Sequence, residues 1–167
     1  MNQPALESVD LFDPNRCDPS ALDSGVPSLD DWLRRTAPVA AAAGTAATWV
    51  LCRGSIVVGY YALAMGSIER RRAPSRLSRS QPDPVPALLL ARLAIDRHEQ
   101  GTGLGADLLQ DALIRAVVGA RHYGARAVVV DAIDDRAAAF YRHHGFLPLE
   151  GNRLYRRVAD IEHALRI

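Results

Sequence analysis

The sequence predicts an α/β (α+β) fold in which helices flank one mixed β-sheet. Two apolar runs, Leu88–Ile95 and Ala127–Ile133, are typical of strands that are buried on both faces. Between them lie a glycine-rich turn at residues 101–105 and an amphipathic helix that runs to about Arg121. We expect this strand–turn–helix–strand unit at the heart of the sheet.

The N-terminal segment is expected to be irregular and to lead into a helix. Residues 1–27 are rich in proline, with a short strand predicted near Leu11–Phe12. Ser28 and Asp31 have the spacing of a capping box. They predict the start of a helix over Leu29–Ala43.

A hairpin and a long connection come next. Thr45–Cys52 and Ile56–Met65 are rich in β-forming residues and are separated by only three residues. This spacing predicts an antiparallel hairpin. The connection Gly66–Pro86 then leads to the central strand.

The C-terminal part is predicted to add a helix and two strands. Asp134 or Asp135 is expected to cap a short helix that ends at Gly145. Phe146–Leu149 and Arg153–Val158 are separated by a Gly-Asn turn, so they predict a closing hairpin.

Length and composition indicate one domain, residues 1–167, because the chain has 167 residues of which 49% are hydrophobic. No apolar run approaches the ~18 residues that a membrane helix needs, and the acidic N-terminal segment does not resemble a secretory signal. Cys17 and Cys52 lack metal-ligand and disulfide-scaffold spacing. We therefore expect a cytoplasmic protein that has no membrane partner and binds no metal.

The basic residues are distributed unevenly and are all arginine. A P-loop is excluded, since its nucleotide grip requires lysine. Between positions 70 and 79 there is no acid, and a loop of such charge can neutralise the phosphates of a nucleic acid. The candidate contacts are Arg70, Arg71, Arg72, Arg76 and Arg79, with Arg34, Arg35 and Arg92 extending the surface. The alternative is a solvated basic loop.

The turn from Gln100 to Gly105 is a candidate phosphate site. Backbone amides that open a helix lack partners, and glycines let a ligand approach them closely. One alternative is a turn that only tightens the connection. Another is a dinucleotide-binding pattern, which Gly101, Gly103 and Ala106 also satisfy. Only about sixty residues follow the turn, too few for the doubly wound sheet that this second alternative requires.

Two motifs together resemble the GNAT acetyltransferase superfamily. Gln100-x-x-Gly103-x-Gly105 is similar to its acetyl-CoA signature, and the run from Phe140-Tyr141 to Gly145-Phe146 is similar to its second landmark. The resemblance implies a GNAT fold with acetyl-CoA as acetyl donor. The coenzyme's diphosphate would rest on the amides of Gly101–Ala106, and its pantetheine arm would run along Leu93–Ile95. The implied cofactor-binding residues are Leu93, Ala94, Ile95, Gln100, Gly101, Thr102, Gly103, Leu104, Gly105 and Ala106.

Tyr141 is the candidate catalytic acid. A phenol with a reference pKa near 10 stays protonated at neutral pH and can protonate a departing thiolate of pKa about 8.5. The alternative is an ordinary core aromatic. The central strand offers no carboxylate as general base. That favours an amine of low pKa, such as the α-amine of an aminoacyl ester, although a water chain to a distant carboxylate would also serve.

A closer resemblance is to the GNAT toxins of type II toxin–antitoxin systems. It rests on Leu29–Leu33, Gly59–Ala64 before a basic segment, and Arg92–Asp96. These toxins acetylate the α-amine of aminoacyl-tRNA and stop translation. The resemblance implies a homodimer, an aminoacyl-tRNA substrate held by the arginines, and a ribbon-helix-helix antitoxin.

Two other functions remain open from the sequence. The chain could acetylate a small-molecule amine or a protein N-terminus, in which case activity would not depend on the arginine loop. It could also be a non-catalytic module that binds acetyl-CoA or RNA. A non-catalytic module would give Tyr141 no catalytic role.

Overall fold

The computed structural model describes residues 2–167. Within that range seven strands form one mixed sheet in the order β1-β2-β3-β4-β5-β7-β6. The strands are β1 (Asp10–Leu11), β2 (Ala47–Arg53), β3 (Ile56–Ile68), β4 (Val85–Ile95), β5 (Ala127–Asp131), β6 (Leu147–Pro148) and β7 (Arg153–Arg157). The helices are α1 (Pro27–Asp31), α2 (Ala37–Ala43), α3 (Ser75–Ser78), α4 (Leu104–Tyr123), α5 (Asp135–His143) and α6 (Val158–Leu165).

The predicted fold class is confirmed. β2 and β3 pair antiparallel, as the hairpin prediction requires. β4 and β5 pair in parallel through Ala87–Leu89 and Ala127–Val129, with α4 between them in sequence. β6 and β7 form the closing hairpin.

The chain divides into two compact units. The first comprises residues up to Leu63 together with Arg92–Ala112. Its core is apolar and combines side chains from the segment before α1, from α1, the turn after it and α2, and from β2, β3 and β4. The buried members of this core are Leu22, Leu29, Leu33, Ala37, Val50, Cys52, Val57, Tyr60 and Ala94.

The second unit comprises Ala64–Ala91 and Leu113–Ile167. Its core joins the end of β3 to β4, β5, β7 and the short helix α3. The buried members are Ile68, Leu77, Val85, Ala87, Ala127, Val129 and Tyr155. Leu77 therefore attaches the arginine-bearing connection to the sheet.

The predicted helix Leu29–Ala43 is interrupted. Between α1 and α2 the chain makes a wider π-helical turn, Trp32–Thr36, in which Ala37 N–H bonds Trp32 O. Pro38 has no N–H to donate to the carbonyl four residues earlier and crowds that carbonyl, which explains the wider turn.

The predicted capping box at Ser28 and Asp31 is wrong. α1 already begins at Pro27, and no side chain caps its N-terminus. The carboxylate of Asp30 instead accepts the N–H of Ser24 at 3.1 Å. Proline favours the first helical position, since an N–H there would have no partner anyway.

Other boundaries shift by a few residues. β3 continues to Ile68, β4 begins at Val85, and β5 ends at Asp131 instead of residue 133. Asp134 is the cap of α5, because its carboxylate accepts the N–H of Ala137 at 2.7 Å. Helix α6 was not predicted from the sequence, although Val158, Ile161 and Leu165 have helical spacing. Within residues 2–167 no helix is both long and apolar enough to span a membrane.

Candidate active site

The glycine turn before α4 presents an open backbone. Gly101 and Gly103 have φ values of +78° and +88°, a conformation that favours glycine. A Cβ on either residue would meet no atom within 4 Å. The first bond of the helix runs from Asp107 N–H to Gly103 O at 3.1 Å, so the amides of residues 104–106 have no partner within the helix. The turn thus offers room and partial positive charge to an anion.

Two side chains fix the shape of this turn. Gln100 Nε2 donates to Ile95 O at 2.8 Å and to Ser24 O at 2.9 Å. Thr102 Oγ1 donates to Glu99 O at 2.6 Å. The glutamine of the signature therefore holds the main chain in place from within the protein.

Asp96 and Glu99 brace the segment that leads into the turn. The Asp96 carboxylate accepts the N–H groups of His98 at 2.9 Å and Asp23 at 3.0 Å. Glu99 binds Arg53 through both carboxylate oxygens. Its hydrogen bond with the guanidinium holds the pKa of Glu99 below its ordinary value.

The end of β4 is packed closely against β3. A Cβ on Gly59 would come within 2.8 Å of Ile95 Cδ1 and 3.3 Å of Ala94 O. Glycine at this position therefore permits the close approach of the two strands. The pairing of β5 with β4 covers Ala87–Leu89, whereas β4 continues to Ile95. Leu93 belongs to this continuing stretch.

Tyr141 lies in α5 and is only 7% exposed. Its ring meets those of Phe140 and Phe146 edge-on, with centroids 5.3 and 5.5 Å apart. Gly145 has a φ of +88° and reverses the chain, so that Phe146 N–H donates to Tyr141 O at 3.0 Å. Burial raises the pKa of Tyr141, so the phenol keeps its proton at neutral pH.

The arginine loop is partly neutralised by acids that lie outside it. Glu69 pairs with Arg71 at 2.8 Å and with Arg72 at 3.3 Å. Glu150 pairs with Arg72 at 3.0 Å. The net positive charge of the arginine loop is therefore smaller than the absence of acidic residues between positions 70 and 79 indicates. Three further arginines of the loop are exposed: Arg70, Arg76 and Arg79.

Arg34 and Arg35 differ in their surroundings. Arg34 donates to Leu22 O at 2.5 Å and to Pro19 O at 3.3 Å. These bonds fasten the π-helical turn to the preceding segment. Arg35 is exposed. Arg35 is therefore the member of this pair that is more accessible to a ligand from solvent.

Arg92 belongs to a stack that the sequence analysis missed. Its guanidinium carbon lies 5.3 Å from the centre of the Trp32 ring, and Trp32 stacks on Tyr60 at 6.0 Å. Tyr60 donates to Leu29 O at 2.6 Å, and burial raises its pKa. Attraction between the cation and the indole face holds Arg92 in place.

The second unit contains a cavity of about 450 Å³ that no motif indicated. Its walls include Arg72 of the arginine loop and the pair formed by Asp131 and Arg153. That pair is bidentate, at 2.8 and 3.0 Å, and Arg153 also donates to Ser67 O at 3.0 Å. Charges of both signs are paired along the wall, which suits a polar ligand of little net charge. Among residues 2–167, no group of three or more His, Cys, Asp or Glu side chains could hold a metal ion.

Comparison with known proteins identifies a family and several close relatives. Residues 44–148 match the family model for the acetyltransferase (GNAT) domain. The chain is 50% identical over 129 residues to a tRNA-acetylating toxin of Mycobacterium tuberculosis (strain ATCC 25618 / H37Rv). That match covers 77% of this chain and 78% of the relative.

Solved structures of similar proteins contain ligands and partners. AtaT complexed with acetyl-methionyl-tRNAfMet superposes with a TM-score of 0.88 at 28% identity, covering 96% of this chain and 99% of that one. A mutant of the toxin AtaT, bound to the C-terminus of the antitoxin AtaR and to acetyl-CoA, has a TM-score of 0.83 at 27% identity. That match covers 97% of this chain and 99% of the other.

Proposed function

This chain belongs to the GNAT acetyltransferase family, and from that membership we propose that it is the toxin of a type II toxin–antitoxin system. It is an acetyl-CoA-dependent N-acetyltransferase. It transfers the acetyl group to the α-amine of aminoacyl-tRNA and thereby inhibits translation. The observation that carries this proposal is the 50% identity to a tRNA-acetylating toxin over 77% of the chain.

Acetyl-CoA fits the turn before α4. The open space at Gly101 and Gly103 leaves the backbone accessible, and the amides of Gly101–Ala106 would hold the diphosphate. The backbone of Leu93–Ile95 would hydrogen-bond the pantetheine arm, while Gln100 and Thr102 keep the turn in shape. When bound, acetyl-CoA supplies an acetyl thioester.

Tyr141 acts as the general acid. Its Oη keeps its proton until a thiolate forms and then donates that proton to the departing sulfur. The raised pKa supports this role because the protonated phenol dominates at neutral pH. The acceptor is an α-amine beside an ester, whose pKa is low enough to leave a reactive fraction uncharged without a strong base.

The arginine loop supplies the tRNA contacts. The exposed residues Arg70, Arg76 and Arg79 are suited to phosphate, and Arg35 and Arg92 are further candidate contacts in the first unit. Arg71 and Arg72 would exchange their carboxylate partner Glu69 for phosphate, at some cost in affinity. Arg34 is engaged with backbone carbonyls, so it is less available to phosphate than Arg35.

The same proposal includes the oligomeric state, the antitoxin partner and the cellular location of the protein. The toxin works as a single acetyltransferase domain over residues 1–167, in a homodimer. A ribbon-helix-helix antitoxin neutralises it, in keeping with the AtaT structure that includes an antitoxin segment. It acts in the cytoplasm, where charged tRNA is found.

Controlled expression in bacteria tests the proposed function. Induction of the wild type is expected to stop incorporation of labelled amino acids, while a Tyr141→Phe variant leaves it unchanged. Tyr123→Phe removes a phenolic oxygen from a side chain that is 77% exposed, so it serves as the matched control and should still arrest translation. Equal growth of wild type and Tyr141→Phe would contradict the proposal.

A further inference from the structure

The two cysteines of the chain lie side by side in the first unit. Cys52 is buried in β2, and its thiol donates to Cys17 Sγ at 3.2 Å. A disulfide has an S–S distance of about 2.05 Å, so closure requires the sulfurs to approach by little more than ~1 Å. The residues stand 35 positions apart in sequence, so this contact is a product of the fold.

Backbone hydrogen bonds next to each cysteine hold the pair in position. Asp18 N–H donates to Ser55 O at 2.7 Å, and Val57 N–H donates to Asp18 O at 3.0 Å. Val57 is also the register partner of Cys52 across the hairpin. The segment that carries Cys17 is thereby fixed to the hairpin that carries Cys52, which keeps the two sulfurs close to one another.

The surroundings of the two thiols differ in a way that sets the order of oxidation. Cys52 is 4% exposed, and burial with the Cys17 contact raises its pKa to about 12. Cys17 is half-buried and packs at the margin of the same apolar core. An oxidant from solvent therefore reacts with Cys17 first, and Cys52 acts afterwards as the resolving thiol.

We propose that Cys17 and Cys52 form a redox modification site, at which hydrogen peroxide or an organic peroxide converts the pair to an intramolecular disulfide. The Cys17 thiolate attacks the peroxide, the O–O bond breaks, and a sulfenic acid forms as hydroxide or alkoxide leaves. The Cys52 sulfur then attacks the Cys17 sulfur, and its proton leaves with the sulfenic hydroxyl as water. Two thiols thus give two electrons to one peroxide.

Treatment of the full-length protein with hydrogen peroxide tests this site. Intact-mass spectrometry is expected to show loss of two hydrogen atoms, and peptide mapping should join Cys17 to Cys52. Thiol reductant should reverse the change. The oxidised chain should melt at a higher temperature, because the bond closes a long loop in the unfolded state.

Two variants and a sulfenic-acid trap sharpen the test. Cys52→Ala is expected to leave a trappable sulfenic acid on Cys17, which the wild type resolves before it can be trapped. Cys17→Ser should leave Cys52 unmodified, because that thiol is buried. Disulfide-linked dimers, oxygen addition without cross-linking, or equal trapping in wild type and Cys52→Ala would each overturn the proposal.

Discussion

Arg53 and Glu99 form a bidentate ion pair immediately before the glycine turn. Arg53 Nη2 lies 3.1 Å from Glu99 Oε2, and the second nitrogen of the fork binds the other oxygen. The Glu99 side chain is only 12% exposed. Arg53 closes the first hairpin strand, so this pair fastens the approach to the turn to the sheet.

The first prediction concerns the pH dependence of that pair. The pKa of Glu99 is lowered in the folded chain, so its ionised form contributes stability above its ordinary pKa of 4.5. That contribution is lost as pH falls through the lowered value. The free energies of unfolding of the wild type and Glu99→Gln, measured in urea, should therefore differ at pH 7 and become equal well below pH 4.5. Glu7→Gln changes an exposed side chain and is the control. If the difference in the free energy of unfolding between wild type and Glu99→Gln did not change with pH, it would not come from the ionised Glu99 carboxylate.

The second prediction separates chemistry from binding at Tyr141. Tyr141→Phe removes only the hydroxyl, which is the proposed proton donor, and keeps the ring contacts with Phe140 and Phe146. We expect kcat to fall by about 10²–10⁴ while the affinity for acetyl-CoA stays unchanged. Steady-state kinetics and calorimetry check the two quantities. Equal loss of kcat and acetyl-CoA affinity would instead assign the hydroxyl to binding.

The third prediction concerns the glycine turn. Gly103→Ala places an alanine where the backbone φ is +88°, which should cost about 1 kcal/mol of stability. We also expect the variant to lose affinity for acetyl-CoA. Gly124→Ala is a matched control, because Gly124 has a φ of +84° and equally open surroundings after α4. It should lose similar stability and keep its affinity. Calorimetry that finds the same affinity in both variants would argue against a phosphate site at the turn.

The fourth prediction concerns tRNA contact by the arginine loop. Substitution of Arg76 and Arg79 by glutamine should weaken tRNA binding and reduce the slope of log affinity against log salt by about 2. Arg16→Gln, at another exposed arginine, should leave the slope unchanged. Titrations at several salt concentrations measure both. An unaltered slope in the double variant would remove the loop from the tRNA surface.

Sequence patterns predicted the centre of this fold well, because apolar runs and helical stripes are local properties. The unit from β4 through α4 to β5 has the expected elements, with end points shifted by up to three residues. The helix predicted over Leu29–Ala43 is present and ends as predicted, but Pro38 widens one turn in its middle into a π-helical turn. Helix α6 was not predicted, although its apolar residues have helical spacing.

The candidate site was predictable only where a motif is local. The glycine turn and the Tyr141 helix were recognised from short patterns, whereas the partners of the arginines were not. Arg72 meets Glu150, and Arg92 lies over Trp32, through contacts that join distant positions. Such contacts depend on strand register and loop path, which composition and spacing do not determine.

Acetyl transfer to charged tRNA is the most direct test of the proposed function. Purified protein and labelled acetyl-CoA would be mixed with a pool of aminoacyl-tRNA, with uncharged tRNA and free amines in parallel reactions. We predict label only on charged tRNA, released by mild alkali as N-acetyl amino acids. Label on free amines, or none on charged tRNA, would contradict the proposed function.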